Sequence, residues 1–180
     1  MTVEISISTP LPAGVQPSAV VALLHNHETY IRTTCPQLIS YTRVSPTIAL
    51  ASNSNSNPNP NPNPVVAPLD EPHTFEVADR RPTGHTKYRL TLRNRADGIE
   101  ATVEGKAPTG AMTIRSRWRV RVRGDGEGEG DALAWLEEHV DVESNLITRK
   151  MVKSNIERSH PAHHRSFLAE AMETGKAAAA

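Results

Sequence analysis

The sequence predicts an α+β domain in which a curved antiparallel sheet packs around a long C-terminal helix. The segment LAWLEEHVDVESN (residues 133–145) alternates like a β-strand and leads almost without a loop into a helical pattern. In that pattern apolar residues recur at three- and four-residue steps, as on one face of a helix. The members of this stripe are Ile147, Met151, Val152, Ile156, Phe167, Leu168, Ala171 and Met172. A strand that continues directly into a terminal helix favours a sheet that grips the helix and can leave a cavity between the two.

The N-terminal part predicts one strand and one helix. Residues 3–7 alternate between apolar and polar side chains, and Pro10 ends this strand. Pro17 stands where the first turn of a helix tolerates proline, so we expect a helix over residues 18–27. The apolar piece at residues 38–44 is compatible with a strand or with the end of a second short helix.

A low-complexity tract of asparagine, serine and proline occupies residues 51–68. Proline lacks an amide donor and asparagine offers no apolar surface to bury, so this tract cannot pack. We expect a disordered insertion within a single domain that spans residues 1–176, followed by a disordered tail at 177–180. A partner-binding or polymerising role would need aromatic or charged anchors, and the tract contains none.

Alternating patterns predict the remaining strands at residues 74–79, 87–95, 99–107, 114–123 and 134–143. Asp97-Gly98 predicts a two-residue hairpin turn with positive φ at both positions. Counting outward from this turn places Arg95 opposite Glu100, and Leu92 opposite Val103. Pro108–Gly110 predicts a second turn, and the glycine-rich run at 124–131 predicts a solvated loop.

Arginines at every second position, from Arg115 to Arg123, occupy one face of the penultimate strand. Such a ladder is compatible with phosphate or RNA binding. The neighbouring strand favours another interpretation, because it places Glu137, Asp141 and the ring of Trp135 beside these arginines. We therefore expect a self-neutralised outer face and no nucleic-acid partner.

The composition also limits the class of protein. The formal net charge is zero, and a single cysteine excludes an internal disulfide framework. No basic, apolar leader is visible at the N-terminus, and no apolar run is long enough for a membrane span. A cytoplasmic location is expected.

Three segments carry a resemblance to known proteins. They are TPLPAGVQPSAVVALLHNHE, GIEATVEGKAPTGAMTIRSRWRV and LAWLEEHVDVESNLITRKMVKSNIERSH. Together they resemble a fungal family of unknown function that is similar to the START/polyketide-cyclase-like (SRPBCC) helix-grip superfamily. The resemblance implies a strongly curved sheet around the C-terminal helix and an apolar cavity between them. Pro161 departs from the expected helical pattern, and we expect it to kink or split the helix.

Glu138 is the one acid on the apolar face of the closing strand, which makes it the candidate catalytic acid or base. The alternative, which the sequence favours slightly, is a position at the cavity rim or a structural hydrogen bond to the backbone or to Asn145. His160 and His164 are four residues apart, but Pro161 lies between them and no metal-binding motif is present. We therefore expect no metal and no cofactor. The residues expected to bind the ligand are Tyr88, Leu90, Leu92, Asn94, Ser116, Trp118, Leu136, Val140 and Ile156.

These observations predict a protein that encloses a small hydrophobic molecule. If it is an enzyme, we expect cofactor-independent cyclisation, isomerisation or dehydration, with Glu138 moving a proton. By analogy with the fungal family, the molecule would be a polyketide, terpenoid or sterol-like compound of secondary metabolism. The alternatives are a carrier or sensor without turnover, and a structural protein whose cavity is filled by its own side chains.

Overall fold

A computed structural model describes residues 2–44, 68–81, 84–107, 110–122 and 134–178. Its elements, in chain order, are β1 (Thr2–Pro10), α1 (Pro17–Leu24), α2 (His27–Thr34), β2 (Leu38–Val44), β3 (Pro72–Arg81), β4 (Gly84–Arg95), β5 (Gly98–Ala107), β6 (Gly110–Val122), β7 (Ala134–Glu143) and α3 (Leu146–Ala178). Nearly all of the predicted insertion, the loop at 124–131, residues 108–109 of the second turn and the last two residues of the tail lie outside the described residues.

The seven strands form one antiparallel sheet in the order β1-β7-β6-β5-β4-β3-β2. Strands β2 to β7 pair in chain order, and β1 pairs with β7 at the far edge. Helices α1 and α2 therefore connect opposite edges of the sheet, and α3 follows β7 directly. This architecture confirms the predicted α+β fold, a curved sheet packed around a C-terminal helix. None of the described helices is both long and apolar enough to cross a membrane.

The region after β1 contains a helix that the sequence did not predict. The expected single helix over 18–27 is two helices, because α1 ends at Leu24 and α2 begins at His27. The side chain of Asn26 accepts a hydrogen bond from the backbone N–H of Thr29 and so caps the new helix. The undecided piece at 38–44 is strand β2.

The predicted register of the β4–β5 hairpin is wrong by two positions. Arg95 pairs with Gly98, and Leu92 lies opposite Ala101 rather than Val103. The two loop residues are thus 96 and 97, and neither Asp97 nor Gly98 has a positive φ. Arg95 nevertheless reaches Glu100 diagonally, with 2.7 Å between Nη2 and Oε2.

Gly98 serves close packing rather than turn geometry. A Cβ at this position would lie 1.9 Å from the carbonyl oxygen of Trp118 on β6. Because that contact is with backbone, no side-chain rotation would relieve it. Glycine therefore allows β5 to begin directly against β6.

Helix α3 is continuous over 33 residues with Pro161 inside it, so of the expected kink or split, the split is wrong. An internal proline costs a helix about 3 kcal/mol. Buried side chains on both sides of it, including Ile156 and Phe167, offset that cost by about 1.5–3 kcal/mol each.

The expected apolar stripe is wrong at the N-terminal end of α3. Ile147 and Met151 are 64% and 68% exposed, whereas Thr148 and Arg149 are buried. The side chain of Asn145 accepts a hydrogen bond from the backbone N–H of Thr148, which fixes how the first turn is rotated. Further along, Ile156, Phe167, Leu168 and Ala171 are buried as expected.

The outer sheet face carries the arginine ladder in the expected register. Arg115, Arg119 and Arg121 lie directly opposite Asp141, Glu137 and Trp135 on β7. The ion pairs mostly run to diagonal neighbours instead. They join Arg115 to Glu143, Arg117 to Asp141, Arg119 to Asp97 and Arg121 to Glu137 at 3.1–3.6 Å.

Candidate functional site

A cavity of about 390 Å³ lies between the inner sheet face, the end of α2 and the middle of α3. Strands β4, β5 and β6 supply its apolar wall, and α3 supplies polar side chains. The apolar wall consists of Leu90, Ala101, Val103, Met112, Ile114 and Trp118. The polar lining includes Tyr30, Cys35, Asp79, Tyr88, Ser116, Glu138, Asn155, Ser159, His160 and His163.

Glu138 points into this cavity region because inward positions alternate along β7, and it is only 1% exposed. Trp118, its cross-strand partner on β6, donates its indole N–H to Oε1 at 2.8 Å. His160 on α3 lies 2.7 Å from Oε2 through its Nδ1. The Nε2 of His164 lies 3.4 Å from the same oxygen. A strand, its neighbour and the terminal helix thus converge on one carboxylate.

The surroundings of Glu138 keep it ionised. Burial by itself would raise the pKa of this carboxyl group. The hydrogen bonds and positive charges of His160 and His164 outweigh burial and lower the pKa to about 2. At neutral pH Glu138 is therefore an anion and can only accept hydrogen bonds.

This charge state fixes the tautomer of His160. Because the ionised carboxylate has no proton to give, Nδ1 of His160 must carry the hydrogen in their 2.7 Å contact. Whenever this ring is neutral its Nε2 is unprotonated, and that atom has no hydrogen-bond partner among the residues that the structure describes. Since His160 lines the cavity, this nitrogen is available to accept a proton or a hydrogen bond from a bound molecule.

Two more histidines complete the cluster. The ring of His163 lies 5.1 Å from that of His160, and burial followed by the charge of His160 lowers its pKa to about 4. His164 is fully buried, its ring lies tilted against that of Trp118 with 4.5 Å between the centroids, and its Nδ1 lies 3.0 Å from the hydroxyl oxygen of Thr9. These three histidines are not among the site residues predicted from the sequence. Their i, i+3, i+4 spacing on the helix that faces the inward Glu138 is the signal that could have found them.

A second polar group lies in the wall away from the histidines. The phenol of Tyr88 donates to Oδ2 of Asp79 at 3.0 Å, and the thiol of Cys35 lies 3.2 Å from the same phenol oxygen. Burial, then the charge and hydrogen bond of Cys35 and Asp79, raise the pKa of Tyr88, so its hydroxyl remains protonated. Tyr30, also in the wall, has its pKa raised by burial and by the charge of Glu138.

The structure brings about half of the sequence-predicted site residues together around the cavity. Those in its wall are Tyr88, Leu90, Ser116, Trp118 and Glu138. The remaining predicted ligand-binding residues are buried but lie outside the wall; they are Leu92, Asn94, Leu136, Val140 and Ile156. Asn94, for example, accepts a hydrogen bond from His27 of α2 at 3.0 Å.

One group of side chains among the described residues has a spacing that would suit a metal ion. Glu4, His139 and Asp141 have ligand atoms within 4.8 Å of one another on the outer sheet face. Asp141 is engaged by Arg117 at 3.5 Å, and His139 bonds Ser6 at 3.0 Å. This group lies on the opposite face of the sheet from the cavity.

Comparison with solved structures identifies the fold class. The structure matches Ara h 8.0201 (TM-score 0.58, 9% identity, covering 96% of this chain and 99% of that chain). It also matches the Zhui aromatase/cyclase from Streptomyces sp. R1128 (TM-score 0.59, 11% identity, 96% and 94% covered). A conserved protein from Geobacillus kaustophilus gives a TM-score of 0.58 at 9% identity, with 97% of each chain covered. These likenesses show the helix-grip fold that the sequence predicted.

The chain belongs to the family described as "Domain of unknown function (DUF7053)", whose model matches residues 2–173. A search of the curated proteins finds no match.

Proposed function

We propose that this protein binds a small hydrophobic molecule in the cavity and transfers a proton to or from it through His160. The hydrogen bond between Glu138 and His160 in the cavity wall carries this proposal. In it, His160 is the catalytic residue, whereas the acid expected to be catalytic, Glu138, is a positioning residue. A cytoplasmic location forms part of the proposal, because a lone thiol such as Cys35 suits a reducing compartment.

The electrostatics of the pair support this division of roles. A carboxyl group with a pKa near 2 holds no proton at neutral pH, so Glu138 is a poor general acid. As a buried anion it orients the His160 ring and stabilises the imidazolium that forms when Nε2 takes up a proton. General-base catalysis by a positioned histidine accelerates proton transfer about 10²–10⁴-fold.

The cavity supports a largely apolar substrate. Its volume of about 390 Å³ falls within the range of small-molecule sites, and its sheet side is mostly aliphatic. Cofactor-independent cyclisation, isomerisation or dehydration fits a single positioned base in such a wall. The likeness to a protein named as an aromatase/cyclase agrees with this reaction class. A polyketide, terpenoid or sterol-like substrate of secondary metabolism is the compound class that we propose.

A probe reaction tests the base without knowledge of the natural substrate. In the elimination of 5-nitrobenzisoxazole, a base removes the proton on C3. The C–H electrons then form the nitrile, and the N–O bond breaks to release 2-cyano-4-nitrophenolate. We expect the protein to accelerate this reaction, and we expect the His160→Ala variant to lose about 10² in rate. Glu138→Gln should lose roughly tenfold or more, because the imidazolium loses its counter-charge.

The exposed His85 provides the control, since His85→Ala removes an imidazole outside the cavity wall and should leave the rate unchanged. Absorbance of the phenolate gives the rate, and calorimetric titration of the intact protein with 2-naphthol shows whether each variant still binds an apolar ring. Unchanged elimination by a His160→Ala protein that still binds 2-naphthol would rule out the proposed base.

A carrier or sensor without turnover is the second candidate. One observation favours it: both oxygens of Glu138 already accept hydrogen bonds, from Trp118 and His160, as expected of a structural carboxylate. This candidate predicts tight binding of 2-naphthol with no elimination rate above that of free imidazole at equal concentration. A protein whose interior is filled by its own side chains is not supported, given a cavity of about 390 Å³.

A further inference from the structure

We propose that Tyr88, with Asp79 and Cys35 beside it, forms a second recognition point of the cavity that binds a hydrogen-bond donor on the ligand. The ligand class that follows is a hydrophobic molecule with donor groups, such as hydroxyls, at both ends. This inference deepens the proposed function and rests on its first part, binding in the cavity, but not on its proton transfer.

The hydrogen-bond capacity of Tyr88 determines what this point can bind. A phenol has one proton, and Tyr88 donates it to Oδ2 of Asp79 at 3.0 Å. The phenol oxygen therefore can only accept from any further partner. Its present neighbour there is the thiol of Cys35 at 3.2 Å, and a thiol is a weak donor. A ligand hydroxyl would make a stronger hydrogen bond to the same oxygen.

The end of the cavity at His160 also presents a hydrogen-bond acceptor. With Nδ1–H of His160 directed to Glu138, the Nε2 atom is an acceptor when this ring is neutral. Between the two ends the wall is formed by apolar side chains such as Leu90, Val103 and Ile114. Two acceptors separated by an apolar wall complement a ligand with two donors separated by an apolar body.

Three naphthalenes of nearly equal size test this polarity. 2,6-Dihydroxynaphthalene has two donors, 6-methoxy-2-naphthol has one, and 2,6-dimethoxynaphthalene has none. Calorimetric titration of the full chain at pH 7 should show affinity rising about tenfold at most with each donor. Tyr88→Phe should remove one of the two steps, measured as the ratio of affinities between successive compounds. Tyr41→Phe is the matched control, because Tyr41 packs against the core and is not in the cavity wall.

Two variants at Cys35 should change the affinity for the dihydroxy compound in opposite directions, which a purely structural role of Cys35 would not produce. Cys35→Ala removes the competing donor and should strengthen binding of the dihydroxy compound about twofold or more. Cys35→Ser places a stronger donor on the phenol oxygen and should weaken that binding by a similar factor. In each variant the change is measured as the ratio of the affinities for the dihydroxy and dimethoxy compounds.

The outcomes separate this inference from the proton-transfer proposal. Equal affinities for the three compounds, or a second donor step that survives Tyr88→Phe, would overturn the recognition point. Loss of the elimination activity with both steps intact would leave the recognition point standing and remove only the base. Failure of all three compounds to bind would overturn both proposals.

Discussion

At the scale of single residues, Glu138 and His163 both have protonation states that the fold imposes. The fold stabilises Glu138 as an anion, with a pKa near 2 against an ordinary value of 4.5. It stabilises His163 as a neutral ring, with a pKa near 4 against 6.5. Both shifts are downward, so in acid the unfolded chain binds more protons than the folded protein at both groups, and the folded state is less stable there than at neutral pH.

The sign of each shift gives a pH window. The loss of folding free energy through His163 develops as the pH falls from 6.5 to 4, and the loss through Glu138 develops as the pH falls from 4.5 to 2. We expect the free energy of unfolding, measured by urea titration, to fall less steeply between pH 6.5 and 4 in His163→Asn than in the native protein. His85→Asn, which changes an exposed ring, should keep the native slope. Equal slopes in all three proteins would contradict the shift at His163.

At the scale of elements, α3 delivers the polar side of the cavity and β7 delivers the carboxylate that organises it. One helical face presents His160, His163 and His164 within five residues, and an inward position of β7 meets them. A short connection joins β7 to α3, so Glu138 and His160 belong to one continuous segment of the chain. The strands opposite depend on tight contact between β5 and β6, where Gly98 meets the backbone of Trp118.

Because of this contact, the methyl group added by Gly98→Ala should strongly destabilise the protein. Gly98→Ala should destabilise the protein by about 2–4 kcal/mol, because the strand backbones must separate. Gly105→Ala on the same strand is the comparison. Its added Cβ would lie 3.2 Å from the Cβ of Tyr88, a tight contact but with a side-chain atom, so we expect a smaller loss. Urea unfolding at pH 7 measures both, and a Gly98→Ala protein as stable as the native one would disprove the packing requirement.

At the scale of the whole molecule, the sheet order places β1 and β2 at opposite edges, with α1 and α2 between them in sequence. The Asn/Pro-rich tract falls between β2 and β3, which pair as antiparallel neighbours. The family model nevertheless extends over the whole of this region, from residue 2 to 173.

We predict that deletion of residues 51–67 leaves the fold intact. The tract offers little apolar surface to bury, and shortening a loop changes its closure entropy by only about 0.6 kcal/mol per halving. The melting temperature should therefore change by about 4 °C or less. Circular dichroism would detect this, and a large drop in melting temperature would indicate that the tract packs against the domain.

Local sequence pattern predicts much of the fold, but not the division of the first helical region or the rotation of the first turn of α3. Strand alternation placed Glu138, Ser116 and Trp118 inward and the arginines outward, and the structure has them so. Capping by Asn26, which divides the first helical region into α1 and α2, was present in the sequence but not recognised. The rotation of the first turn of α3 was predicted wrongly at Ile147 and Met151, because apolar spacing by itself did not reveal which face the sheet would cover.

Residue pattern alone predicted the fold class, the inward and outward faces of every strand except β2, and the inward acid of β7. These are properties of residue periodicity, which each segment carries locally. Local pattern did not reveal that His160 is the partner of Glu138, or that Leu92 and Val140 are buried outside the cavity wall while Tyr88 and Leu90 line it. Those outcomes depend on where α2 and α3 lie across the sheet, and that position is set by packing between segments far apart in the chain.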